Sequence, residues 1–178
     1  MLWDLEGRFD DERRQLVLAE VDELADAERT GVTFAGRLLA MEGRAASITV
    51  RGGRVIAGTI AQAAQSWLLV RQPAVVVLVP ISAISVISGL GSRTAPDPGI
   101  GQRIRITHFL RELAACEDHV VVDHDAGELS GTIHSVYADH FDVMTDTHGN
   151  AATRGPGAGA FTLSLAGIRC VVFPRVLR

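Results

Sequence analysis

At 178 residues, with 47% apolar side chains and a mean hydropathy of +0.21, the chain can fill a packed core and lies far from the disordered class. Every basic residue is arginine, and a net charge of -4 means that the whole molecule does not advertise nucleic-acid binding. The charge is unevenly spread: residues 1–30 hold ten acids and four arginines, 31–94 six arginines against Glu42 alone, and 95–178 ten acids and seven arginines. Such alternation fits an acidic part docked on a basic part, within or between chains, and it equally leaves the basic part open to phosphate.

In chain order, Leu2, Leu5, Phe9, Leu16, Val17, Val21 and Leu24 recur at helical spacing, which predicts an acidic amphipathic helix over 1–30 that stops at Gly31. Its apolar stripe packs on its own domain or pairs with a copy or a partner. The opening Met1-Leu-Trp-Asp-Leu-Glu is acidic where a signal peptide carries a basic region, so a cytoplasmic protein is expected. A second, short helix is predicted over Thr33–Glu42, ended by Gly43.

Five β-like runs follow: Ala46–Val50, Arg54–Ala63, Trp67–Arg71, Ala74–Val79 and Ile84–Ser88. Arg51-Gly52-Gly53 signals a hairpin, because both glycines tolerate positive φ. The apolar stretch Ala74–Leu90 is barely long enough to cross a bilayer. Its β-branched residues and Pro80 read better as two buried strands with a turn, so no membrane is expected. A Gly- and Pro-rich linker over 89–101 then marks a domain boundary.

Beyond the linker the series restarts. Thr33, Arg37 and Gly53 match Thr107, Arg111 and Gly127 at an offset of 74; Gly58-Thr59-Ile60 matches Gly131-Thr132-Ile133 at 73; Ile84 matches Ile168 at 84. The step from 73 to 84 places an inserted loop at 145–160, rich in Gly, Pro and Ala.

A short helix followed by five short strands, with a glycine inside a long and bent second strand, resembles the Sm-like small β-barrel, with SH3-like barrels as the close competitor. The whole chain also resembles an uncharacterised bacterial family with two such barrels in tandem. The expected fold is therefore mainly β: the helix 1–30, a first small five-stranded barrel over 31–88, the linker 89–101, and a second barrel over 102–178 with the loop 145–160, each barrel preceded by a short helix. The resemblance implies rings built by strand pairing between neighbouring barrels. It also implies RNA pockets at Gln65-Ser66-Trp67 with Pro80–Ala83, and at Asp139-His140-Phe141 with Ala166-Gly167. The acid and asparagine usual in the first motif are missing from the first unit, and the Arg-Gly or Lys-His element is missing from both.

For chemistry, all six histidines lie between His108 and His148 among several aspartates, and His119, Asp123 and Asp125 fall on one face of a strand. No His-x-x-x-His helix or cysteine pair supports a metal site, so a solvated barrel face is expected, with no metal and no cofactor. Cys116 and Cys170 read as reduced thiols. No nucleophile elbow or phosphate loop occurs, which points away from an enzyme. Trp67 either stacks a base beside Arg44, Arg51, Arg54 and Arg71 or opens a core strand ahead of Leu68, Leu69 and Val70. The leading expectation is a non-catalytic scaffold, a homo-oligomer assembled through barrel edges and the N-terminal helix. The alternative is an RNA-binding protein that uses the basic first barrel.

Overall fold

The computed structural model describes residues 32–95, 104–145 and 159–174. The helix expected over 1–30, much of the linker 89–101 and nearly all of the loop 145–160 lie outside the described residues. The chain divides into two units, Met1–Phe34 and Ala35–Arg178, and the sheet belongs to the second.

Its elements are α1 (Phe34–Leu39), β1 (Ala45–Val50), β2 (Val55–Ala63), β3 (Trp67–Arg71), β4 (Val75–Pro80) and β5 (Ile84–Ser88), then α2 (Ile106–Cys116), β6 (His119–His124), β7 (Gly127–Val136), β8 (His140–Thr145), β9 (Ala160–Ser164) and β10 (Ile168–Pro174). Single 3-10 turns at Ile81–Ala83 and Leu165–Gly167 lead into β5 and β10. The two Gly-Thr-Ile sequences have a shared backbone role. Each opens the half of a long strand that crosses its neighbour at close range and then slips register, between Ile60 and Gln62 in β2 and between Ile133 and Ser135 in β7. A Cβ on Gly58 would stand 2.5 Å from the Arg71 carbonyl oxygen, and one on Gly131 would collide with the Met144 carbonyl. Only glycine admits that approach, and the bulge that follows bends the strand.

The expected pair of barrels is not what forms. All ten strands among the described residues belong to one open antiparallel sheet, in the order β5-β1-β2-β3-β4-β10-β6-β7-β8-β9. The physical reason is the pairing of β4 with β10, which sets Leu78 opposite Val171, Val77 opposite Val172, Val76 opposite Phe173 and Val75 opposite Pro174. An edge that would otherwise offer bare N–H and C=O groups finds its partner in the other half of the chain.

That pairing explains the unbroken apolar runs WLLV and VVVLVP. Along β3 and β4, Leu68, Val70, Val77 and Val79 face one core, with Leu38, Leu39, Ile48, Val50, Ile56 and Ile60. Trp67, Leu69 and Leu78 face the other, with Leu110, Leu113, Val122, Phe141, Val143 and Phe173. β10 alternates likewise, Cys170 toward the first core and Val171 and Phe173 toward the second. A strand buried on both faces reads as continuous hydrophobicity, whereas β1 buries only alternate residues, Ala46, Ile48 and Val50. Among the described residues, no helix is long and apolar enough to cross a membrane.

Candidate functional site

Among the described residues, a network of charged side chains lies where the two halves meet. The turn between β1 and β2 carries Arg51 and Arg54 around Gly52 and Gly53, which have φ of 82° and 85°. The turn between β6 and β7 carries Asp125, with Asp123 on β6 just before it and Glu128 on β7 just after it. These turns oppose each other. Arg51 lies 3.4 Å from Asp125 and donates from Nη2 to the Ala166 carbonyl at 2.9 Å. Arg54 lies 3.3 Å from Glu128 and 3.6 Å from Asp123. Arg169, on β10, donates from Nε to Asp125 at 2.9 Å and reaches Asp123 at 3.5 Å. Three guanidinium groups thus meet three carboxylates.

Most of these side chains are partly solvated, so solvent screens their pairs and each adds little to stability. Asp123 differs: its side chain is 10% exposed and touches two arginines, so removing both would leave a buried charge without compensation. The hydrogen bond from Arg169, reinforced by the charge of Arg51, holds the Asp125 carboxyl below its ordinary value.

A second link between the halves is an aromatic anchor. Trp67 is 1% exposed and donates from its indole N–H to the Ile104 carbonyl at 2.8 Å. Its ring lies 5.5 Å from that of Phe109 on α2, and Phe109 lies 5.6 Å from Phe173 on β10. A residue of the first half is therefore held by a helix and a strand of the second.

The five residues expected to meet RNA do not share one surface. Arg51 and Arg54 stand at the β1–β2 turn, engaged with carboxylates. Arg44 and Arg71 are exposed at the opposite end of that ladder, where Ala45 faces Thr59 and Thr59 faces Arg71. Trp67 presents no open ring face to a base. The candidate metal trio is likewise occupied: Asp123 and Asp125 serve arginines, and His119 contacts Ser130 Oγ at 2.8 Å. Among the described residues, no group of three or more such side chains is placed to hold a metal ion.

Sequence reading passed over Asp123, Asp125, Glu128 and Arg169 as partners for the arginines. A signal was available, since the offset of 74 that aligns the halves sets Arg51 on Asp125 and Arg54 on Glu128, opposite charges at matched positions.

Two further groups are settled by their surroundings. The Ala126 N–H donates to His124 Nδ1 at 3.1 Å, leaving Nε2 to donate to the Ser164 carbonyl at 3.1 Å. Burial pushes the Cys170 thiol up to about 11, so it is no nucleophile at neutral pH, while Cys116 is exposed.

The outer ends of the sheet look different from its middle. On β5, Val86 is 59% exposed. Near β9, Tyr137 is 47% exposed and stacks on His140, ring centroids 4.5 Å apart and planes 16° from parallel. No family model matches the chain, and no curated protein matches its sequence.

Proposed function

We propose that this chain is a non-catalytic assembly module whose working surfaces are the two end strands of its sheet, β5 and β9. One observation carries the reading: the chain already joins its own halves by pairing two strands edge to edge, β4 with β10, and among the described residues β5 and β9 end the sheet with one strand neighbour each. An end strand with a free backbone ladder takes up another strand, with main-chain hydrogen bonds giving affinity and alternate side chains giving choice. The free thiols suit a reducing, cytoplasmic setting.

Sedimentation of the full chain over a range of concentrations tests this, together with anisotropy titration of a short mixed-sequence RNA at two salt concentrations. Self-association or capture of a partner strand, with exchange protection gained at 84–88 or 160–164 and no RNA bound, supports the assembly role. A monomer that gains no such protection and binds RNA tightly, with steep salt dependence, overturns it in favour of the basic first half as a phosphate-binding surface.

A further inference from the structure

We infer that the strand received at these edges comes from a second copy of this chain, β5 of one copy pairing antiparallel with β9 of the next. This rests on the assembly reading above and gives it a partner and a register. The internal joint supplies the template. In each half the fourth strand is fixed against the third: Leu69 faces Leu78 in β3–β4, and Asp142 faces Thr162 in β8–β9. The fifth strand is fixed against the first: Ile48 faces Ile87 in β1–β5, and Val122 faces Val171 in β6–β10. Thr162 is therefore the counterpart of Leu78, and Ile87 that of Val171. The internal pair Leu78 with Val171 becomes Thr162 with Ile87 between copies, and Val77 with Val172 becomes Phe161 with Ser88.

Three features of the free edges fit that joint. Val86 occupies the place that Cys170 occupies in the second half, as Thr49 faces Val86 and Asp123 faces Cys170. Cys170 is fully buried where β10 pairs with β4, whereas Val86 is left 59% exposed, with Thr49 on β1 its one strand partner among the described residues. Bulk has also changed sides. The counterparts of Trp67, Phe109 and Phe173 are His140, Ala35 and Gly89, while Ala64 is matched by Tyr137. The exposed Tyr137–His140 stack is thus the large partner, and Ala35 and Gly89 of a second copy leave it space. Finally, matched turns carry opposite charge, so acids at 125 and 128 of one copy meet arginines at 51 and 54 of the next, as they do within the chain. Their partial exposure leaves both sets able to take a second partner.

Such a joint is heterologous: it repeats head to tail and either closes a ring or extends a filament. Thr162 and Asp142 stand where Leu78 and Leu69 stand inside, so association is weaker than the internal joint and depends on concentration.

The test traps the register in the full chain. With Cys116→Ser as background, Ile87→Cys and Thr162→Cys are combined, mildly oxidised and analysed by non-reducing electrophoresis and peptide mass spectrometry. The expected result is a ladder of covalent multimers linked between positions 87 and 162 of different chains, abolished by adding Val86→Arg. Because Ile87 is partly buried, light scattering of otherwise wild-type Val86→Arg and Tyr137→Ser provides an independent arm; each should shift multimer to monomer with an unchanged circular-dichroism spectrum. Multimers that lack the 87–162 link and ignore both variants overturn this inference while leaving the assembly reading standing. A monomer at every concentration overturns this inference, and one that also gains no protection at its edges with any partner removes both.

Discussion

Replacing Trp67 with phenylalanine tests whether the two halves are one cooperative body. Phenylalanine keeps a ring against Phe109 but loses the fused five-membered ring and its N–H. The lost apolar contact amounts to about 1 kcal/mol, at roughly 25 cal/mol per Å² over a few tens of Å². The Ile104 carbonyl, left without its donor at 2.8 Å, adds about another 1 kcal/mol. The expected loss is about 2 kcal/mol, or roughly 4–8 °C in Tm for a domain of this size. Urea unfolding followed by circular dichroism should show one transition, moved as a whole. Labelling of Cys170 under native conditions should quicken by about thirtyfold if the thiol, buried in β10, is reached through global opening. A loss below about 0.5 kcal/mol, within the range of inert surface changes, would refute the anchor. Two separate transitions, with Cys170 labelling unchanged, would refute the single body.

Gly131→Ala should cost roughly 1–3 kcal/mol or more, because its methyl meets backbone atoms of Met144 and Thr145 that cannot swing away; Gly91→Ala, with its nearest neighbour at 3.6 Å, should stay within about 0.5 kcal/mol in the same urea assay. Asp125 has a folded value below its ordinary 3.8, so its contribution is present above that value and is lost as pH falls through the depressed one. Asp125→Asn should therefore flatten the acid limb of a plot of unfolding midpoint against pH and leave the neutral-to-alkaline limb alone. With a thiol reagent at pH 8, the native protein should expose Cys116 and withhold Cys170, and denaturant should release the second; two fast thiols in the native state would contradict the burial of β10.

Much of the local structure was legible because each strand carries its own signal. Trp67–Arg71 and Ile84–Ser88 are bounded in the sequence as they are in the sheet, and the repeated Gly-Thr-Ile marks the bent strands because a close backbone crossing excludes any side chain. What escaped was the joining of the halves. Backbone groups on the edge of β4 are the same whether β10 or solvent lies beside them, so no residue type announces the partner. The burial of WLLV on both faces was the nearest clue, since a strand with one solvated face would alternate. The site suffered for the same reason. Arg51 and Arg54 read as exposed hairpin charge until Asp125 and Glu128, far along the chain, are placed across from them.

The position of β10 also governs when the molecule can be completed. The last of the described strands, Ile168–Pro174, is inserted at the centre of the sheet between β4 and β6. A nascent chain emerging from the ribosome can assemble β1 to β5 early, yet it holds Trp67 and Leu78 without their full cover until residues 168–174 appear. Contacts of such long sequence separation form slowly, and exposed apolar edges invite wrong partners meanwhile. A chain cut short before residue 168 would lose far more than one strand, because it would be left with a gap through its middle.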